Sequence, residues 1–525
     1  VGREEMKSLM IQGTGSYVGK SLIVAGLCRI FKKDGFNVVP FKAQNMSLNS
    51  FVTKEGGEMG RAQVVQAEAA GIEPHVDMNP ILIKPNTDIG AQIIIHGKVY
   101  RNMSATQYHQ YKKRAVRAVK ESFNRLKERY ELMVIEGAGS PAEINLRKND
   151  IVNMGMAEIA DCPVILVGDI DKGGVFASLI GTLELLSKEE KKRIKGFIIN
   201  KFRGDIRLLE PGLDFLEKKT GLPVVGVIPY FKDLYLQEED GVSVEKVGLN
   251  PKKGDIKIAV LFLPHISNFT DFDALEKQPE VDFRYVRPGN PIPASDLIII
   301  PGSKNTIGDL AYLRKFHYDK AILEHRQKGG FVIGICGGYQ MLGQLISDPF
   351  KVETNRKSIA GLGLLDVETA IEKEKVTSQV EARLFREKLL PWKTGKIFGY
   401  EIHMGRTDRK NNTSPFFIIV KKEGRNVQIE DGAISKDRKV WGTYIHGIFD
   451  NDEFRRGFIN YLRKRKGLSP LSKSDILYYH QMKREGFDHL ERGLRENLDM
   501  NFIYQILNLI PQKPRALKKT MRSLD

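Results

Sequence analysis

Residues 8–21 read Ser8-Leu9-Met10-Ile11-Gln12-Gly13-Thr14-Gly15-Ser16-Tyr17-Val18-Gly19-Lys20-Ser21 and run on into Leu22-Ile23-Val24: a strand, a glycine-containing loop and the start of a helix. In that order the three put backbone N–H groups and the positive end of a helix around an anion, so loop 13–21 reads as a phosphate cradle. Gly13, Thr14, Gly15, Ser16 and Gly19 shape it, Lys20 would reach the terminal phosphates of ATP, and Ser21 would offer its hydroxyl to Mg2+. The strict pattern is not fully met. Thr14 stands where glycine is usual, and the first glycine, Gly13, comes one residue early.

Five more short β-branched runs follow, at 37–41, 132–136, 163–169, 196–200 and 223–229, separated by helical patterns. Such alternation predicts an α/β domain with a parallel sheet covered by helices and ligands at the carboxyl ends of the strands. Unusual residues gather at those ends. Glu136, before Gly137-Ala138-Gly139, is the expected second oxygen donor to Mg2+. Lys42 and Asn45 follow the second run, where they would orient a carboxylate or a phosphate, and Asp169, Asp171, Gly173 and Gly174 follow the fourth. Asn200 would meet an adenine edge or simply form the turn after its strand.

From 231 to 255 the pattern lapses into charged, Gly-containing sequence, and a second alternating set then opens with runs at 256–263, 296–300, 331–335 and 440–445. The expected division is a P-loop domain over 1–235, a linker at 236–255, a second domain over 256–465 and a helical extension over 466–525. In the extension, 472–509 reads as mostly helix and ends in a basic stretch with Lys513, Arg515, Lys518, Lys519 and Arg522.

The second domain carries Phe-Val-Ile-Gly-Ile-Cys-Gly-Gly-Tyr-Gln-Met-Leu-Gly at 331–343, which sets Cys336 between an apolar strand and a helix. That is a nucleophile elbow: a sharp turn exposes the sulfur, the helix start lowers its pKa, and neighbouring backbone N–H groups face a developing oxyanion. Gly334, Gly337 and Gly338 relieve the crowding. His446, ending the run in Trp-Gly-Thr-Tyr-Ile-His-Gly, is the expected base, and loop 301–305 a second source of oxyanion donors.

A length of 525 residues exceeds what one core usually organises, and 41% apolar with 28% charged residues excludes general disorder. The net charge of +17 bears on steering and solubility and does not by itself imply nucleic acid as a partner. Between Arg101 and Arg129 nine basic residues face only Glu121 and Glu128, in a segment with the spacing of an amphipathic helix. Such a face is either simply solvated or attracts an anionic substrate. No run approaches the roughly 20 apolar residues of a membrane span. Neither that nor a secretory signal being present, the expected location is cytoplasmic, without a membrane partner. Cys28, Cys162 and Cys336 are too few and scattered for a disulfide framework or a zinc site, leaving one for catalysis.

Taken together, the N-terminal half resembles the dethiobiotin synthetase type of P-loop domain, whose variant loop also carries Gly-Thr and ends in Gly-Lys-Ser or Gly-Lys-Thr. The C-terminal half resembles a class I glutamine amidotransferase. Their fusion is similar to the cobyric acid synthase family of cobalamin biosynthesis. The likeness is carried by Phe-Lys-Ala-Gln-Asn-Met-Ser-Leu-Asn-Ser at 41–50, Gly-Arg-Ala-Gln-Val-Val-Gln-Ala-Glu-Ala-Ala-Gly at 60–71, Val-Gly-Asp-Ile-Asp-Lys-Gly-Gly-Val-Phe-Ala at 167–177 and Gly-Tyr-Glu-Ile-His-Met-Gly at 399–405. The resemblance implies a ligase with two partners, glutamine and a corrinoid polycarboxylate. It would convert the b, d, e and g carboxylates of adenosylcobyrinic acid a,c-diamide to amides, giving adenosylcobyric acid. Another polycarboxylate, including the a,c-carboxylates of cobyrinic acid, is one alternative; a P-loop ATPase switch is the other, though it would leave Cys336 and His446 idle. One departure stands out: a full triad carries His-x-Glu, but Ile448 lies two residues beyond His446. Glu401, His403 and Asp450 are the candidates to orient the imidazole.

Overall fold

The structure, a computed structural model, describes residues 5–85, 90–232, 234–237, 253–386, 390, 392, 394–472 and 477–510. Most of the expected linker and the basic stretch from Lys513 to Arg522 lie outside these residues.

In chain order the first half comprises β1 (Lys7–Gly13), α1 (Lys20–Lys33), β2 (Val38–Phe41), β3 (Gln44–Met46), β4 (Ser50–Val52), β5 (Glu58–Gly60) and α2 (Arg61–Ala70). It continues through β6 (Ile81–Pro85), β7 (Gly90–Ile95), β8 (Lys98–Ser104), α3 (Ala105–Lys127), β9 (Leu132–Glu136) and α4 (Met154–Ala160). Then come β10 (Val164–Asp169), α5 (Val175–Glu184), α6 (Lys188–Arg193), β11 (Ile194–Phe202), α7 (Glu210–Thr220) and β12 (Val224–Pro229). Six of these strands form one parallel sheet in the order β12-β11-β10-β1-β9-β2. They are the six runs read from the sequence. Helices cover both faces, so β1, β9 and β10 are apolar nearly throughout and buried on either side. Chain order reverses about β1, which opens a crevice at its carboxyl end where loop 13–21 sits.

The segment between β2 and α3 was not legible as strands. It forms the sheet β3-β6-β7-β8 and the hairpin β4-β5. The basic segment is α3, whose Tyr108, Ala115, Val119, Phe123 and Leu126 are buried while Arg114, Arg117 and Lys120 face outward.

The second half is built on a sheet whose parallel part runs Val281–Val286, Ile256–Leu261, Leu297–Ile300, Phe331–Ile335 and Val440–Thr443. Beside it lies a second sheet dominated by an antiparallel pair, the 18-residue strand Val367–Leu384 and the 13-residue strand Ile397–Arg409. The short strand Ile445–His446 adds to the edge of this pair, so His446 leaves the first sheet and joins the second.

The extension folds back on the first half. Leu490 and Leu494 of helix Tyr479–Asn497 pack into the core over α1, where Gly26 leaves room for Leu494. Asp488 pairs with Arg29 at 2.9 Å, Glu491 with Lys33 at 3.1 Å and Arg495 with Asp34 at 3.1 Å. The two halves also share buried polar contacts. Glu58 takes Lys84 at 2.8 Å from its own half and Lys375 at 2.5 Å from the other. Asn49 Oδ1 accepts from Phe269 N while Asn268 Oδ1 accepts from Ser50 N, both at 3.0 Å. Such pairs fix how the halves register more than they stabilise them.

Candidate active site

Loop 13–21 turns at the carboxyl end of β1, inside the sheet, before α1. Gly19 has φ +98°, and a Cβ there would collide with the amide of Asn200, so the position demands glycine. Lys20 Nζ, mostly buried, donates to the carbonyls of Gly15 at 2.8 Å and Gly139 at 3.1 Å, drawing the loop toward the glycines after β9. Asn200, at the end of β11, donates from Nδ2 to Val18 O at 2.8 Å and so braces the same loop.

Parallel register sets the rest. Ile11 of β1 pairs with Glu136 and Phe41 of β2 with Ile135, so the residues following β1 and β2 flank the Glu136 carboxylate. Glu136 Oε1 accepts from Ser21 Oγ at 2.8 Å and from Lys42 Nζ at 2.7 Å. Its Oε2 accepts from Gln66 Nε2 at 2.5 Å and Gln63 Nε2 at 3.3 Å, and Asn45 donates to Gln63 at 2.9 Å. Burial works to raise the Glu136 pKa, but Lys42 and the donors from Gln66 and Ser21 win and hold it below its ordinary value. An ionised carboxylate beside a hydroxyl, next to a phosphate loop, is a hard-oxygen pair that suits Mg2+ completed by water and phosphate oxygens. Asp169 and Asp171 pair with Lys201 at 2.7 Å and Arg203 at 2.9 Å on the far side of the loop.

In the second half, Cys336 follows Ile335 at the centre of its sheet and takes φ 51°, ψ −108°, a conformation that costs roughly 1–3 kcal/mol for a side-chain-bearing residue. Its N–H is held by Thr443 O at 2.8 Å and its Sγ lies 3.5 Å from Ile402 O. A Cβ on Gly338 would strike Ile300 O, and one on Gly337 would lie 2.9 Å from Ser303 N. Loop 301–305 therefore closes against the elbow.

His446 is fully buried. Its Nδ1 lies 2.6 Å from Asp271 Oδ2, and the other oxygen of Asp271 accepts from Gly447 N at 3.0 Å. Nε2 makes no hydrogen bond to a described nitrogen or oxygen. Burial opposes the imidazolium, but Asp271, with a smaller contribution from Cys336, pushes the His446 pKa up to about 10.

The three candidates to orient His446 do otherwise. Glu401 accepts from Lys422 at 2.8 Å and Ser378 at 3.2 Å, and His403 stacks on Tyr444 at 3.8 Å. Both alternate along their strand with Tyr400, the residue opposite His446, and so project to the other face. Asp450 is partly buried, its Oδ1 has no hydrogen-bond partner among the described residues, and desolvation pushes its pKa up to about 7. The carboxylate on the imidazole is instead Asp271, 175 positions upstream. Its one sequence signal is an acid set among Phe269 and Phe272, because a buried carboxylate requires a partner.

The Asp271–His446 pair gives stability a direction with pH. Because the folded pKa of about 10 exceeds the ordinary 6.5, the pair's contribution is complete below pH 6.5 and lost as pH rises to about 10. The melting temperature of the parent should exceed that of Asp271→Asn most clearly near pH 6, and the gap should narrow toward pH 10.

Among the described residues no helix is long and apolar enough to cross a membrane. Residues 9–244 match the CobQ/CobB/MinD/ParA nucleotide binding domain and 257–454 the CobB/CobQ-like glutamine amidotransferase domain. The chain is 54% identical to a cobyric acid synthase of Thermoanaerobacter sp. (strain X514), over 95% of this chain and 98% of that protein. It is also 54% identical to one of Clostridium botulinum (strain Langeland / NCTC 10281 / Type F), over 96% and 100%. Of solved structures, PurLQS from Thermotoga maritima covers 40% of this chain and 99% of its own at 19% identity and a TM-score of 0.32.

Proposed function

Because this chain belongs to the cobyric acid synthase family, and so is an ATP-dependent glutamine amidotransferase, we propose that it amidates the b, d, e and g carboxylates of adenosylcobyrinic acid a,c-diamide with ammonia cut from glutamine at Cys336. The observation that carries the reading is the pairing, in one chain, of a lysine-bearing phosphate loop beside Ser21 and Glu136 with a strained cysteine and a carboxylate-held histidine.

Carboxylates do not react with ammonia at neutral pH, so each is first converted to an acyl phosphate by the γ-phosphate of ATP with release of ADP, and ammonia then displaces phosphate to leave the amide. Lys20 holds the terminal phosphates, Lys42 and Asn45 orient the incoming carboxylate or phosphate, and Asn200 meets the adenine edge from the position in which it braces loop 13–21. Bound at Ser21 and Glu136, Mg2+ would neutralise phosphate charge. In the second half the Cys336 sulfur attacks the glutamine amide, backbone N–H groups of the elbow and of loop 301–305 meet the oxyanion, and ammonia leaves. His446, kept protonated by Asp271, gives the proton to the departing ammonia; water, delivered by His446 as base, then hydrolyses the thioester.

Incubation with ATP, magnesium, glutamine and separate corrinoid acids, followed by mass measurement of products, tests the reading. Four carboxyl-to-amide changes on the a,c-diamide and none on cobyrinic acid support it; the reverse pattern overturns it. Asp271→Asn should lower kcat for glutamine hydrolysis on the order of 10²-fold with little change in KM, since the imidazolium loses its counter-charge while substrate contacts stay.

A further inference from the structure

Side chains of the nucleotide half reach the ring stacked on His446. Tyr400 lies directly across the strand pair from His446, and their rings stack with centroids 5.2 Å apart and planes 15° from parallel. Arg61, the first residue of α2, donates from Nη2 to the Tyr400 hydroxyl at 2.8 Å, and that hydroxyl in turn donates to Ser50 O at 3.3 Å. Both polar capacities of the phenol are therefore met by the other half of the molecule. The guanidinium also lies 5.0 Å over the Phe51 ring, and Phe51 meets Tyr400 edge-on at 5.3 Å. Arg61 and Tyr400 are both almost completely buried.

A buried arginine is costly unless hydrogen bonds and charge partners offset its desolvation, and a merely apolar seam would be served by Val52, Tyr400 and Ile402 alone. Arg61 is fixed at its other side as well. Gln63 and Gln66, on the same helix, are bonded to the Glu136 carboxylate, so α2 is pinned at the nucleotide site while its first residue grips Tyr400. The His446 ring is thus held at Nδ1 by Asp271 and on its face by a tyrosine whose own place is set from across the seam.

Resting on the reading of Cys336 and His446 as the glutaminase pair, we propose that Arg61 and Tyr400 are positioning residues for His446, so that the glutaminase site is complete only when the nucleotide half is docked on it. Neither touches glutamine. They fix the ring plane, and so the direction in which Nε2 presents its proton to the sulfur and the leaving ammonia.

The test compares full-length Tyr400→Phe, Arg61→Gln, their double variant and Cys336→Ala with the parent, measuring glutamine hydrolysis and the ratio of glutamine-driven to ammonium-driven product. Tyr400→Phe keeps the stacked ring and loses only the hydroxyl; Arg61→Lys serves as a second variant if Arg61→Gln melts early. Each single change should lower kcat for glutamine roughly tenfold, the factor of one buried charge-assisted hydrogen bond, with KM changed less than about twofold. The double variant should lose no more than the worse single, because both act through one contact. Unchanged kcat in Tyr400→Phe, losses that multiply in the double variant, or an effect confined to KM would overturn the proposal. Cys336→Ala keeps that failure separate: if it too hydrolyses glutamine normally, the nucleophile itself has been misassigned.

Discussion

Cys336→Ala is expected to abolish product formation from glutamine while leaving formation from ammonium within about twofold of the parent. Nitrogen release and carboxylate activation occupy separate stations of the chain. The Cys336 sulfur sits on the elbow, where its backbone holds φ 51°, a conformation that is costly for a side-chain-bearing residue and that presents a nucleophile to the glutamyl carbon. The replacement removes a single atom from a side chain at the edge of a well-packed core, so the fold should persist; the cost of losing a sulfur there is about 1 kcal/mol. Ammonium supplied at high concentration bypasses this station and meets the activated carboxylate directly. Mass spectra of the product from each nitrogen source, at matched ATP consumption, give the answer. Normal glutamine-driven synthesis by the variant would remove Cys336 from the mechanism.

What the sequence revealed, and what it hid, follows the range of the interactions involved. Loop 13–21 and the elbow at Cys336 are local: a strand, a glycine-rich turn and a helix within about fifteen residues determine where the lysine and the sulfur point, and both were legible. His446 was legible because it ends an apolar run that had to be a central strand. Asp271 was not. Its link to His446 spans 175 positions and exists only because the short strand Ile445–His446 leaves one sheet for another, a change of direction that no periodicity reports. Arg61 and Tyr400 were hidden for the same reason, being joined across 339 positions. The pair Val367–Leu384 and Ile397–Arg409 escaped because its strands are half exposed and highly charged, so alternation is diluted by lysine and glutamate stems lying along the sheet. The helical extension was read as helix, but its apolar face gave no address; the buried Gly26 of α1, which leaves room for Leu494, is the matching half of that contact. Glu401 and His403 misled as orienting groups because closeness in sequence to Tyr400 says nothing about which face of a strand a side chain takes.

Lys20→Ala is expected to lower product formation from glutamine and from ammonium alike, on the order of 10³-fold, while glutamine hydrolysis at Cys336 continues. The Lys20 ammonium is spent on the carbonyls of Gly15 and Gly139, a posture that keeps it inside the loop and aimed where terminal phosphates would displace those weaker acceptors. Remove it and two things fail together: the charge that balances phosphate oxygens during transfer, and the tie between loop 13–21 and the glycines after β9. Folding should survive, since the lost contacts include hydrogen bonds to the carbonyls of Gly15 and Gly139 that water can replace once the side chain is gone, worth about 1 kcal/mol each. The Cys336 and Lys20 variants fail at opposite stations. There the nitrogen supply fails and activation remains; here activation fails and the nitrogen supply remains, so ammonia should accumulate in the medium at a rate set by glutamine alone. Persistent synthesis from ammonium in Lys20→Ala would mean that carboxylate activation happens somewhere other than loop 13–21.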